Sequence, residues 1–140
     1  MHSQVELNLY AAYQRCFPEA DSVLLTTADG TVYTYADAER CSAQAANFLV
    51  SRGLAPGDRV SVQVEKTPQA LWLFLGVVRA GLIFHPLNPA YTDQELAYFL
   101  SDARTSLLVC DPAREADLST LCTTVGNIQI ETLGPDGSGS

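Results

Sequence analysis

Val77-Val78-Arg79-Ala80-Gly81-Leu82-Ile83-Phe84-His85-Pro86-Leu87-Asn88-Pro89-Ala90-Tyr91-Thr92-Asp93-Gln94-Glu95-Leu96 holds, in order, an apolar helix end, a glycine stop, a short apolar strand, a proline-bracketed loop and a new helix start. Glycine ends helices because it adopts the left-handed conformation without a Cβ penalty. Thr92 followed three residues later by Glu95 is the capping-box pattern, in which each side chain satisfies the other residue's free amide. Apolar strand, tight loop and capped helix in that order read as one unit of a parallel α/β sheet.

The unit recurs on both sides. Upstream, residues 59–64 form an apolar strand. Thr67-Pro68 then starts a helix through about residue 80, with a hydroxyl cap and a proline where its missing N–H costs nothing. Downstream, residues 107–110 form a second strand, Asp111-Pro112 starts a helix to about residue 124, and residues 128–131 make a last short strand. The strands recur roughly every 21–24 residues, joined by helices, which predicts right-handed crossovers between parallel strands.

The N-terminal third departs from this plan. Residues 5–17 carry Val5, Leu9, Ala12, Tyr13 and Cys16 at helical spacing, and Pro18 stops that helix. Residues 22–27 and 31–34 flank Asp29-Gly30, which predicts an antiparallel hairpin. Thr34 is placed to cap a helix over residues 35–52 ending at Gly53, with Ala38, Cys41, Ala45 and Phe48–Leu49 as its inward stripe. So many alanines imply close approach to whatever packs beneath. The predicted fold class is α/β: a parallel sheet with helices on both faces, preceded by a short antiparallel hairpin.

Length and charge narrow the function. The 140 residues suit one domain with an apolar core, and the net charge of −8 leaves eight basic residues, one a lysine (Lys66), against sixteen acids. A nucleic-acid partner needs a basic stripe that is absent here, and an acidic membrane surface is disfavoured on the same ground. The apolar run at residues 70–78 is far short of the ~20 residues a membrane span needs. Residues 1–6 have no basic, apolar leader pattern, so a soluble, cytoplasmic protein is expected. Cys16, Cys41, Cys110 and Cys122 are widely spaced with no C-x-x-C, which favours free thiols over a disulfide framework.

Open parallel sheets bind ligands in the loops beyond their strand C-termini. Here those loops are Glu65-Lys66-Thr67, Asn88-Pro89-Ala90-Tyr91 and Asp111-Pro112-Ala113-Arg114, each feeding a helix N-terminus that favours an anion. Lys66 and Arg114 read either as parts of a phosphate or carboxylate site or as solvated cations beside well-capped helices, and residue types alone favour the second. His85 reads as a hydrogen-bonded core histidine, because no cysteine, second histidine or acidic partner lies near it in sequence. No metal-ligand set is visible, and neither G-x-G-x-x-G nor G-x-x-x-x-G-K-[ST] occurs in a phosphate-binding context.

Several linked motifs resemble the acyl- and aryl-adenylating enzymes: acyl-CoA synthetases, peptide-synthetase adenylation domains and luciferases. Thr34-Tyr35-Ala36-Asp37-Ala38 is similar to their T-Y-x-E-L helix start, with Asp37 and Ala38 departing from it. Gly53-Leu54-Ala55-Pro56-Gly57-Asp58-Arg59-Val60 resembles the lead-in G-hydrophobic-x-x-G-D-R-V, and Arg79 to Asn88 resembles K-A-G-x-x-x-x-P-L-D/N. Within the superfamily, Val64-Glu65-Lys66-Thr67-Pro68-Gln69-Ala70-Leu71 and Pro86-Leu87-Asn88-Pro89-Ala90-Tyr91-Thr92 look like bacterial malonyl-CoA synthetases, differing at Pro89. Val109 to Pro112 and Glu131 to Gly137 look like theirs as well.

The resemblance implies a two-step ligase. A carboxylate, malonate here, attacks the α-phosphate of ATP to give an acyl-adenylate and pyrophosphate, and the thiol of CoA then displaces AMP. The implied cofactors are ATP, Mg and CoA. The family's Lys-Gly-terminated phosphate loop, its aromatic–Gly–Thr-Glu segment, its ribose-binding Asp and its C-terminal catalytic lysine have no counterpart in this sequence. Residues 1–133 are therefore expected to be part of the N-terminal AMP-binding domain and 134–140 a flexible tail at a truncation point, with no catalytic residue present and no turnover by the chain alone. Asn88 and Arg114 are the residues expected near CoA. Sheet edges left open by missing strands would invite self-association. Two other readings stay open: a stand-alone α/β binding module, and an adenylation domain that loads a carrier protein.

Overall fold

A computed structural model describes residues 8–140. The chain order is α1 (Leu9–Gln14), β1 (Val23–Thr26), β2 (Val32–Thr34), α2 (Tyr35–Ser51), β3 (Arg59–Gln63), α3 (Pro68–Arg79), β4 (Ile83–Pro86), α4 (Asp93–Asp102), β5 (Leu107–Cys110), α5 (Glu115–Val125) and β6 (Gln129–Thr132). β3 to β6 form one parallel sheet in the order β4-β3-β5-β6, and β1 and β2 form a separate antiparallel ribbon. This is the α/β architecture expected from the sequence.

Alternation along the strands divides two cores. Val60, Val62, Leu107 and Val109 face Leu49, Leu73 and Val77 of α2 and α3. Leu108 and Cys110 point the other way, into Leu96, Leu100, Leu118 and Cys122 of α4 and α5. The hairpin and α1 pack outside α2 and α3 in a third cluster holding Tyr10, Ala38, Trp72 and Leu75.

The expected caps form. Thr34 and Thr92 each accept the amide three residues on, and Asp37 and Glu95 return the contact, closing both capping boxes. Thr67 caps α3, with Pro68 at its first position. Asp111 caps a 3-10 turn, Pro112–Arg114, which precedes α5, so the single helix expected there starts as a tighter turn.

Three expectations are corrected. β4 is an edge strand rather than a buried one: its residues run exposed–intermediate–intermediate–exposed, and Ile83 is 46% exposed, because β3 and β5 occupy the sheet centre. The inward stripe of α2 is Ala38, Ser42, Ala46 and Leu49, whereas Phe48 is exposed and Cys41 and Ala45 are half-buried. On α1 the buried residue is Tyr10, while Leu9 and Cys16 face solvent. Tyr10 is drawn in by polar partners that hydrophobic periodicity cannot see: its ring lies under the Arg79 guanidinium, and its hydroxyl donates to Glu39 Oε2 at 2.5 Å. Val5 and His2 lie outside the described residues.

Residues 134–140 turn back along the sheet edge. Ser140 N donates to Thr132 O (3.1 Å), and Leu133 bridges Gly139 in antiparallel sense. Gly139 sits at φ +136° against the Thr132 carbonyl, an approach that leaves no room for a Cβ. All four cysteines are free: Cys16 exposed, Cys41 half-buried, Cys110 and Cys122 buried.

Candidate functional site

The C-terminal ends of β3 and β4 open into a cleft of about 750 Å³. Val62, Val64 and Phe84 form its floor, and Lys66, Asn88 and Pro89 its rim. Lys66 is exposed, one residue before the cap of α3, and among the described residues it has no acidic partner within ion-pair distance.

The loop after β4 is held from two directions. Asn88 Oδ1 accepts the Ala90 amide (2.9 Å), a local turn that shapes the loop. From beneath, the buried Gln63 donates its Nε2–H to the Asn88 carbonyl at 2.9 Å. Both polar groups of Asn88 named here are thus used internally, while the residue itself is exposed.

Arg114 stands at the same end of the sheet, one strand over, because β3 separates β4 from β5. Its Nη2 lies 2.9 Å from Asp93 Oδ1 in the first turn of α4. Arg114 and Asn88 are therefore joined through the start of α4. With Arg114 partly neutralised by Asp93, Lys66 is the more available cation of the two.

Two rungs of polar side chains run beneath this loop. Ser61 Oγ lies 2.7 Å from His85 Nδ1 and 2.6 Å from Thr105 Oγ1. His85 is hydrogen-bonded as the sequence suggested but half-buried on an edge strand rather than in the core; burial holds its imidazole below the usual value, and the field of Asp102 partly offsets that. Sequence reading passed over Ser61 and Gln63. The signal available was their place in Arg59-Val60-Ser61-Val62-Gln63, where polar residues alternate with valines in a central strand.

A second groove of about 490 Å³ lies between α2, α3 and β6, walled by Cys41, Phe48, Trp72, Leu73 and Val109. Glu131 reaches into it, only 6% exposed, and one carboxylate oxygen contacts Arg52 while accepting no conventional hydrogen bond. Arg52 and Glu131 form an ion pair at the wall of this groove.

Against that geometry, residues 12–136 match the family model described as AMP-binding enzyme. The chain belongs to that family. The fold superposes on apo MatB from Rhodopseudomonas palustris with a TM-score of 0.89 and 43% identity, covering 95% of this chain and 26% of that one. VinN is more distant, with a TM-score of 0.72 at 26% identity over 89% of this chain and 30% of that one. Among curated relatives, the AMB antimetabolite synthetase AmbB of Pseudomonas aeruginosa is 36% identical over 121 residues, which are 84% of this chain and 9% of AmbB. A long-chain-fatty-acid–CoA ligase of Bacillus subtilis is 39% identical over 80 residues, 57% of this chain and 14% of that enzyme. The chain thus spans a small part of the relatives it matches.

Among the described residues no helix is long and apolar enough to cross a membrane, and no group of three or more His, Cys, Asp or Glu is placed to hold a metal ion. Lys66 and Asn88 line the cleft, and Arg114 stands outside it at the same end of the sheet, paired with Asp93.

Proposed function

We propose that this chain is part of an ATP-dependent acid–CoA ligase whose acid is malonate, and that the loop Asn88–Tyr91 with Arg114 flanks the path of CoA. The observation that carries the reading is the Pro86–Thr92 loop. Its Pro-Leu-Asn-Pro-Ala-Tyr-Thr sequence resembles that of malonyl-CoA synthetases, and it rims an open cleft at the sheet end where parallel folds take ligands. The likeness to MatB over 95% of the chain, and the ATP-bound form of that protein, support ATP as the activating nucleotide. In this reading Mg accompanies ATP, and both are held by residues outside this chain. Lys66 and the N-termini of α3 and α4 supply the positive field for CoA phosphates.

The test is an assay of the protein that carries this chain, following AMP release with ATP, CoA and a panel of malonate, acetate and long-chain acids. Malonate- and CoA-dependent AMP formation is expected, and the 140 residues alone are expected to give none. Asn88→Ala and Arg114→Ala should raise the KM for CoA several-fold and leave that for ATP unchanged. AMP release with a long-chain acid in place of malonate would remove the substrate assignment.

A second reading rests on AmbB and other synthetases that match this chain: an adenylation domain that charges a carrier protein. Amino-acid-dependent hydroxamate formation, without a CoA requirement, would favour it over the ligase. Open sheet edges also support self-association, but β4 blunts its own edge. Ile83 and Leu87 direct their amides to β3, so Phe84 and Pro86 face outward, and Pro86 has no N–H to donate. Light scattering at high concentration tests this.

A further inference from the structure

The hydrogen bonds beneath the Asn88 loop can run in either direction, and burial favours one of them. Ser61 is fully buried and Thr105 nearly so, and the Thr105 hydroxyl meets that of Ser61. When His85 Nδ1 accepts, Ser61 donates to it and Thr105 donates to Ser61, so every proton has an acceptor. When Nδ1 carries a proton, it must donate to Ser61. Ser61 then turns its own proton to Thr105, and the Thr105 proton loses its acceptor in a buried site. Unsatisfied buried donors are costly, so the neutral imidazole protonated at Nε2 is the form that fits.

Two residues along the same face of β3, Gln63 grips the Asn88 carbonyl. Ser61 thus holds the edge strand at His85 and Gln63 holds the loop three residues later, both reaching from the sheet centre. Among the described residues the groups facing His85 are few: Ser61 on β3 and Thr105 before β5 are neutral hydroxyls, and Asp102 at the end of α4 is the charge whose field reaches it. His85 is half-buried on an edge strand, so solvent protons can reach it.

We propose that Ser61, Gln63 and His85 form a positioning ladder for the Asn88–Tyr91 loop, and that protonation of His85 reverses the hydrogen bonds of its own rung and shifts the loop, which Gln63 continues to hold. These are positioning residues: they act on a ligand through Asn88. The consequence for CoA rests on the proposed function, but the ladder itself does not. Burial that disfavours the imidazolium places the transition on the acid side of ordinary histidine titration.

NMR on the isotope-labelled 140-residue chain, with no ligand, tests the ladder. Near neutral pH the His85 ring nitrogens should show the Nε2–H tautomer. On acidification from about pH 8 to about pH 5, across the imidazole range, the amides of Leu87, Asn88 and Ala90 should shift with the midpoint of His85. Those of β6 should not follow. His85→Leu should abolish that transition in the loop. Gln63→Leu should accelerate exchange of the loop amides several-fold at every pH. An Nδ1–H tautomer at neutral pH, loop amides indifferent to His85, or a transition that survives His85→Leu would each overturn the proposal. If the loop responds and CoA affinity does not, the ladder stands and the CoA reading of the loop fails.

Discussion

Gly76 on α3 lies directly against Ala45 on α2: a Cβ built on Gly76 would overlap the Ala45 Cβ and stand 3.0 Å from the Ala46 backbone nitrogen. The neighbours are a methyl group fixed to a helix and the helix backbone itself, so neither can swing aside. This contact sets the distance between the two helices that cover one sheet face.

Gly76→Ala should therefore destabilise the fold by about 1–3 kcal/mol through overpacking, despite the better helix propensity of alanine. Urea unfolding measures the loss. Ala45→Gly in the same chain should recover part of it, and a double-mutant cycle with no coupling would show that the helices do not meet as described.

The caps make a second set of expectations. Thr34→Ala and Thr92→Ala each remove the hydroxyl half of a capping box, leaving the Asp37 or Glu95 carboxylate on the cap residue's own amide, and should cost about 1 kcal/mol. Chemical denaturation checks both, and unchanged midpoints would mean that the boxes contribute nothing in solution.

Arg52 and Glu131 are asymmetrically exposed, with side chains 43% and 8% accessible. Removing the arginine strands a buried carboxylate, so Arg52→Ala should cost about 1–3 kcal/mol. Arg52→Met combined with Glu131→Leu should restore most of that stability, because an apolar pair of similar size avoids the desolvation of two charges. If Arg52→Met alone is as stable as the double substitution, the ion pair has no role in the fold.

Thiol chemistry separates the cysteines. Burial pushes the Cys110 thiol up to about 12, with Cys122 adding to it, and Cys122 itself is raised by burial. Reactivity follows the thiolate, so a disulfide reagent near neutral pH should modify exposed Cys16 at once and leave Cys110 and Cys122 untouched until the chain unfolds. Mass spectrometry of the labelled peptides reports the order, and early labelling of Cys110 would contradict the packing of α5 on the sheet.

Local signals carried most of the architecture. Thr34, Thr67, Thr92 and Asp111 marked helix starts, and Gly53 and Gly81 marked ends, because capping and left-handed backbone depend on a few neighbouring residues. The turn at Asp29-Gly30 paired its flanking strands for the same reason. The helix faces were less legible. Ser42 is fully buried on α2 because its hydroxyl donates to Tyr10 across 32 positions, and no window of sequence contains both partners.

The candidate site was legible in outline. Asn88, Lys66 and Arg114 were singled out because they sit in loops that follow apolar strands, and the structure brings all three loops to one end of the sheet. That Arg114 is held by Asp93, and that Gln63 supports Asn88 from beneath, follows from strand order, which places β3 between β4 and β5.

By itself the sequence determined the elements, their alternation and the family, since caps, periodicity and linked motifs are all short-range patterns. Only the tertiary structure decided that β4 is an edge, that Gly76 must remain a glycine, and that His85 completes a hydrogen-bonded chain with Ser61 and Thr105. Each of these depends on residues 24 or more positions apart meeting within a few ångströms, a proximity created by the closing of the sheet and its helices.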